Sequence, residues 1–583
     1  MKKIFDNAVK TIAVLLLGIA ALLLLRPVFW RIFDKPTDRI KTHMDYAERG
    51  KIYDRKGKVL ATNKTVADLH IDCCVVENQD IWEIKSRALA QELAHMLPEK
   101  TAPEWWDYLQ NARNNRRRYL PIVKNAELSL VDSLSRLPLL VEGKYSGGRI
   151  CTYRQVRVYP HGDLARRTVG DERGVGEGRF LFGIERAFDG DLNGDDGFHK
   201  ARVGYRGGKR RQWQEEKQDR IDGWDVHMTL DLDFQNAADS ILRAAVEGNE
   251  DIVGGCIGLM EVETGAIAAL ANIHRLDNGK IGEYFNYSID YSYEPGAVAQ
   301  TMTLAAALSD RVVESLDENI PTNHGRLEVV PFPPDKYIIN YERKNLTDSI
   351  SVLDGFVNSS TYVASYISTR YADSQKYYDK WYDAFCVDCF EIDDIRDVYM
   401  PALENRSIGT LASIGAGYGF KVCPMHILTF YNTVANSGEM MRPMLVKSMM
   451  SKKYGTQFMT PYKLNAHVLR PEVASSLRMA LRENVRKGTG RILHDMPHEI
   501  AGKTGVSRLV IDPHLRGDSA NPYCDSEGRF QYAATFAGFY PVCEPKYSVV
   551  CALFTKPTHE PLYGAALPEN TVKDFISHIE KVR

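Results

Sequence analysis

Residues 254–273 read GGCIGLMEVETGAIAALANI, and this stretch decides the fold. Apolar runs lie on either side of Glu263-Thr264-Gly265, so the segment predicts two strands joined by a tight turn. Working outward, Val226-His227-Met228-Thr229-Leu230 alternates as a strand does, and Asp233 to Val246 has helical periodicity. Toward the C-terminus, Gln531 to Phe539 and Tyr547 to Phe554 read as adjacent strands, and Val572 to Val582 as a closing helix. A sheet flanked by helices is the α+β solution for that order of elements.

A charged run from Gln214 to Asp222 precedes Gly223; it buries little apolar area as a linker, which places a domain boundary there and gives domains of 31–222 and 223–583. In the first of these, Arg49 through Ala61 reads as a hairpin turning at Gly57. Residues from Asp80 to Leu140 carry helical spacing, as in Ile81, Ile84, Ala88, Leu89 and Leu93, then Trp105, Trp106 and Leu109. Gly170 to Gly208 predicts loops and short strands around one helical segment at Gly183-Ile184-Glu185. In the second domain, Leu509 to Phe530 is rich in Asp, Gly, Pro and Ser and reads as a flexible lid or insertion.

The chain has 583 residues, more than one core usually supports, and 44% of them are apolar. Its 74 basic and 76 acidic residues give a net charge of -2, which offers no field for a phosphate backbone and excludes nucleic acid as a partner. The basic runs Arg116-Arg117-Arg118 and Lys209-Arg210-Arg211 read as solvated loops. From Thr11 to Leu25 there is no charge, and Lys10 and Arg26 bracket the stretch. With Val28, Phe29 and Trp30 as an interfacial belt, residues 11–30 predict a transmembrane signal anchor behind a cytoplasmic tail of 1–10. No small-x-small cleavage site follows. Basic residues flank both ends, so charge does not orient the anchor by itself. The 10 cysteines include Cys73-Cys74 and the Cys386…Cys389 pair, neither of which completes a four-ligand metal site. They read as incidental thiols or one disulfide; no metal and no cofactor is expected.

Taken in order, Arg49-Gly50 through Asp54-Arg55 to Leu60-Ala61, Arg157-Val158-Tyr159-Pro160, Gly183-Ile184-Glu185 with Leu192 and Gly194, Thr229-Leu230-Asp231 with Gln235, and Thr264-Gly265 resemble the class B penicillin-binding proteins. The likeness runs from the anchor to the C-terminus. It implies a noncatalytic pedestal followed by a transpeptidase domain that crosslinks peptidoglycan stem peptides. It also implies a single-pass protein of the bacterial inner membrane with its large domain outside the cytoplasm.

The family's chemistry rests on S-x-x-K, S-x-N and K-T-G. A helix-initial serine is the nucleophile, a lysine one turn on takes its proton, and K-T-G lies on an edge strand that pairs with an extended peptide. Here Tyr293-Glu294-Pro295-Gly296 sets the register, and Ala297-Val298-Ala299-Gln300 follows. A methyl group stands at the serine position, and a carboxamide that is no base near neutral pH stands at the lysine position. The second motif aligns at Ser359-Ser360-Thr361, with Thr361 in place of asparagine. The third is intact as Lys503-Thr504-Gly505, so Ser359, Lys503, Thr504 and Gly505 are the candidate ligand-binding residues.

Loss of the serine in an unrelated serine hydrolase costs on the order of 10⁶ in turnover, or roughly 8 kcal/mol. Three readings follow from the residues and the resemblance. The first is a noncatalytic scaffold or activator of a polytopic SEDS-type glycosyltransferase, held by the anchor and pedestal. In the second, the chain is a receptor for stem peptides or muropeptides. The third is an active transpeptidase with an unusual nucleophile: Ser292 precedes a Pro-Gly turn and points elsewhere, Ser359 and Ser360 lie on another element, and Lys503 is the nearest candidate base.

Overall fold

The computed structural model describes residues 11, 12, 14, 39–171, 181–206, 209–328, 337–339, 348–371, 374–385, 392, 408–517, 521–559 and 566–582. Nearly all of the expected anchor, 11–30, lies outside these, as do Cys386 and Cys389. Among the described residues no helix is long and apolar enough to cross a membrane. The eight described cysteines are free thiols.

Contacts gather the chain into two units, Met1–Arg49 with Asn193–Gly223, and Gly50–Leu192 with Trp224–Arg583. The first is built on a three-stranded antiparallel sheet of Arg39–Asp45, Gly197–Arg206 and Lys209–Gln218. This corrects two expectations. Lys209-Arg210-Arg211 lies in a strand and not in a loop, and the charged run expected as a linker begins inside that same strand. A ten-residue partner, Gly197–Arg206, supplies ladder hydrogen bonds that side-chain polarity does not forbid. Gly207-Gly208, a hairpin dipeptide, separates the two strands in sequence.

In the second unit the 254–273 reading holds. Ile252–Glu261 pairs antiparallel with Ile267–Arg275 within a six-stranded sheet. The order from one edge is Ile281–Gly282, Ile267–Arg275, Ile252–Glu261, Tyr547–Thr555, Gln531–Tyr540 and Ala501–Leu509. Both faces are buried, and the two-residue strand period divides them. Ile257 and Leu259 join a core with Phe234, Leu242, Phe575 and Ile576, from helices Leu232–Glu247 and Ala566–Val582. Cys256 and Met260 face the opposite core, with Met302 and Leu304 of helix Gln300–Ser309 and Leu428 and Tyr431 of Pro424–Ala435.

A second sheet runs from Gly455–Phe458 through Val446–Ser451, Asp225–Met228 and Ile52–Tyr53 to Val59–Ile71 and Leu120–Glu127. Arg149–Val158 also pairs with Val59–Ile71. The strand Leu120–Glu127 falls inside the stretch expected to be helical: Leu120 and Ile122 are buried at period two, and a partner strand overrides the helical spacing on either side. True helices flank it at Gln79–Met96, Ala102–Asn114 and Leu128–Leu134.

The fragments that carried the resemblance are cross-links. Arg157 Nε donates to Glu185 Oε1 at 2.7 Å with both side chains at most 1% exposed, and Arg157 Nη1 donates to Gly50 O at 2.7 Å. Asn63 Oδ1 also accepts from Nη1, at 2.9 Å, so further acceptors support the buried ion pair, although Nη2 has no hydrogen-bond partner among the described residues. Thr229 Oγ1 donates to Ile267 O at 2.8 Å, and the Gln235 carboxamide makes two hydrogen bonds to the Leu270 backbone, at 2.7 and 3.0 Å.

Candidate active-site cleft

Tyr293 and Val422 exchange backbone hydrogen bonds of 3.0 Å, and Gly296 N donates to Gly417 O at 3.0 Å. Gly417 has φ +96°, and a Cβ there would lie 1.9 Å from Gly296 O, so only glycine lets these backbones cross. The turn 293–296 is thereby strapped to 417–422. Gly296–Ala299 continues as one 3₁₀ turn into helix Gln300–Ser309. Ala297 is partly exposed, whereas Gln300 is 3% exposed and its Oε1 has no hydrogen-bond partner among the described residues. With Thr303, Phe356, Ser360 and Val363, Gln300 lines a cavity of about 10 Å³, the size of one water.

Helix Val352–Val357 ends just before Ser359, which is held at φ +55°. Ser360 then caps Thr361–Thr369, its Oγ accepting from Val363 N at 3.3 Å. Lys503, on the edge strand Ala501–Leu509, has no solvent exposure; its Nζ donates to Ser359 Oγ and lies 5.4 Å from the Phe356 ring centroid. Thr504 Oγ1 donates to Thr489 Oγ1 at 2.7 Å, and that atom is 3.3 Å from Ser359 Oγ. Asn484 Nδ2 donates to Thr489 Oγ1 at 3.2 Å and to Val357 O at 2.9 Å. At Gly505 an added Cβ would sit 2.8 Å from Val298 N and 3.1 Å from Ala297 N, so the edge strand runs directly past the turn that carries Ala297.

The structure thus gathers Ser359, Lys503 and Thr504 into one network and sets Gly505 against Ala297. Gln300 shares its cavity with Ser360, and Thr361 takes part in none of these bonds. Burial pushes the Glu569 carboxyl up to about 8, with the Lys503 charge pulling it the other way. The segment after Lys503-Thr504-Gly505 is tied down at Tyr523, whose hydroxyl donates to Glu294 Oε2 at 2.8 Å. Glu294 Oε1 accepts from Gly419 N at 2.8 Å, and burial raises the Glu294 carboxyl above its ordinary range.

Residues 255–577 match the model of the penicillin-binding protein transpeptidase domain, and residues 44–177 that of the penicillin-binding protein dimerisation domain. The chain is a class B penicillin-binding protein. It is 21% identical to peptidoglycan D,D-transpeptidase FtsI of Buchnera aphidicola subsp. Baizongia pistaciae, over 99% of this chain and 96% of that one. To penicillin-binding protein PbpB of Mycolicibacterium smegmatis it is 24% identical over 68% of its length, spanning 60% of that relative. Among solved structures, penicillin-binding protein 2X from Streptococcus thermophilus is similar with a TM-score of 0.70 and 17% identity, covering 92% of this chain and 80% of that one.

In this class B penicillin-binding protein, three further residues of the cleft escaped the reading of the sequence. Thr489 sits between Gly488 and Gly490, and that glycine pair was the one local signal of a special turn. Phe356, whose ring centroid lies 5.4 Å from Lys503 Nζ, carries no local signal that sets it apart from a core residue of its helix. Tyr523 and Glu294 are 229 positions apart, and no local pattern announces their bond.

Proposed function

We propose that this class B penicillin-binding protein works in peptidoglycan synthesis without acyl-serine chemistry, as a membrane-anchored scaffold or activator of a SEDS-type glycosyltransferase. One observation carries the loss of chemistry. The position that enters helix Gln300–Ser309 beside Gly505 is a methyl group, and the residue one turn on is a buried carboxamide. Neither atom set attacks a carbonyl nor takes a proton. The scaffold role is supported by a pedestal that matches the dimerisation-domain model and by the apolar stretch 11–25. Membrane helices then supply the contact with the polytopic partner.

The test is exposure of the ectodomain to a fluorescent penicillin, followed by intact-mass measurement. An unmodified mass is expected; a covalent adduct on any side chain, Ser359 included, overturns the reading. Rescue of a deletion strain by the anchor and pedestal alone supports the scaffold role, and failure of that rescue counts against it.

A second reading, a receptor for stem peptides or muropeptides, is favoured by the hydrogen-bonded set of Ser359, Lys503, Thr504 and Thr489. These groups keep a cation and hydroxyl donors beside an edge strand, the equipment for holding a peptide carboxylate without cutting the peptide.

A further inference from the structure

The three-stranded sheet of the first unit divides its charge along its length. Strand Arg39–Asp45 runs antiparallel to Gly197–Arg206, with Arg39 opposite Val203 and Asp45 opposite Gly197. The hairpin formed with Lys209–Gln218 therefore turns at the end where the first strand begins, and its tip, from Tyr205↔Arg210 to Arg206↔Lys209, extends past Arg39.

That end holds Arg39, Lys41 and Arg202, with Arg206, Lys209, Arg210 and Arg211 at the tip, and residues 197–214 contain no Asp or Glu. Tyr205 and Trp213 stand among these cations in the register. At the opposite end the cations are matched by acids: Lys200 pairs with Glu216 at 2.6 Å, Lys217 with Asp219 at 2.5 Å, and Arg220 with Glu48 at 3.2 Å. Sequence and register together therefore place the excess positive charge of this sheet at one end.

Trp30 and Arg39 are nine positions apart, so the chain between them spans at most about 30 Å. Counting Asp34 and Asp38 of that connection against the seven cations still leaves a net of five positive charges. We propose that the basic hairpin tip docks on the anionic phospholipid headgroups of the membrane that receives the anchor. Headgroup attraction acts only within about a Debye length of roughly 8–10 Å, so it requires the tip to reach the surface; the aromatic residues among the cations suit that interfacial layer. The inference rests on the anchor reading of 11–30 and adds a second, charge-selective attachment beyond it.

The test uses the full chain in nanodiscs of phosphatidylglycerol or of phosphatidylcholine, with the photo-crosslinker p-benzoylphenylalanine at Tyr205. Lipid adducts are read by mass spectrometry. Each cation near a charged surface is worth roughly a fivefold factor. Adducts are expected to fall at least tenfold in phosphatidylcholine, and equally in the combined variant Arg206→Gln, Lys209→Gln, Arg210→Gln and Arg211→Gln. The pair Lys200→Gln and Lys217→Gln, at the matched end, is expected to leave them unchanged. Equal crosslinking to both lipids, or crosslinks to polypeptide in place of lipid, would overturn the proposal. Release of the chain by alkaline carbonate would sink the anchor reading and the proposal with it, whereas retention with lipid-independent crosslinking sinks the proposal alone.

Discussion

Lys503 donates a hydrogen bond from Nζ to Ser359 Oγ from a position with no solvent exposure. The bond joins an edge strand to the turn between helices Val352–Val357 and Thr361–Thr369, 144 positions earlier in the chain. Its ammonium is desolvated above the Phe356 ring, so the charge is a cost to folding that Ser359 and the ring offset in part. Lys503→Met keeps the stem and removes the charge. Stability is expected to change by no more than about 1 kcal/mol in urea unfolding, since buried charges are often replaced by apolar groups of similar volume at little cost. Stem-peptide affinity by calorimetric titration is expected to drop more than tenfold if the receptor reading holds. Loss of roughly 3 kcal/mol or more on unfolding would mean that the ammonium is a structural clamp instead.

Glu283 gives a pH dependence with a definite sign. It is 2% exposed, its Oε2 accepts from Arg167 N at 2.9 Å and its Oε1 from Asn272 N at 3.3 Å. Burial is the largest cause that pushes its carboxyl up to about 8 from 4.5. Between those values the folded state holds a proton that the unfolded state has released, so stability falls as pH rises from 4.5 to 8 and levels off above. Glu283→Gln is expected to flatten that slope, with a ceiling of roughly 5 kcal/mol on the effect. Urea midpoints at pH 5, 6.5 and 8 measure it; parallel profiles for the two proteins would refute the assignment.

The sheet was legible because its strands are apolar on both faces and separated by turn residues, as Ile252–Glu261 and Ile267–Arg275 are by Thr264-Gly265. Lys503-Thr504-Gly505 was legible on a different ground, as the intact third motif of the family the sequence resembles. The ribbon strand Lys209–Gln218 was not, because its pairing is made by backbone groups while its side chains read as a solvated linker. Leu120–Glu127 was hidden by helices on both sides. Of the cleft, the motif positions could be read from local order, but Thr489 and Tyr523 join it only through contacts between distant segments.

Tyr523 reports on whether the segment after Lys503-Thr504-Gly505 stays down. Among the described residues its hydroxyl is one of two donors to the buried Glu294 carboxylate, the other being Gly419 N. Tyr523→Phe removes a hydrogen bond to a charged group, worth about 1.5–3 kcal/mol. Amide exchange at residues 521–530 is expected to quicken by one to two orders of magnitude, while the Ile252–Glu261 strand keeps its protection. Unchanged exchange at 521–530 would show that other contacts hold the segment.

Gly417 is the most constrained crossing in the cleft. Its φ of +96° disfavours any side chain, and a Cβ would approach Gly296 O to 1.9 Å. Gly417→Ala therefore has to move one of two backbones, and a loss of about 3 kcal/mol or more is expected. Gly419→Ala, at φ +79° with its nearest contact at 3.8 Å, carries the backbone strain without the clash. It is expected to cost roughly 1–2 kcal/mol. Equal losses for the two would remove the packing argument.

Restoring Ala297→Ser and Gln300→Lys together asks how much of the catalytic shape survives. The serine hydroxyl would project from a turn that still packs on Gly505, beside a wall in which Lys503, Ser359, Thr489 and Thr504 remain hydrogen bonded. Lysine is one atom longer than glutamine along the chain. The cavity of about 10 Å³ beyond Gln300 gives that atom room and brings it toward Ser360. The double variant is therefore expected to acylate measurably with a fluorescent penicillin, and Ala297→Ser alone at least 10²-fold more slowly, because a positioned base contributes about 10²–10⁴. Gln300→Lys alone is expected to give no adduct and a less stable fold, since it buries an ammonium without a nucleophile to receive it. If the double variant folds and stays unmodified, the cleft has lost more than two side chains, and Thr361, which also departs from the family's pattern, becomes the next position to restore.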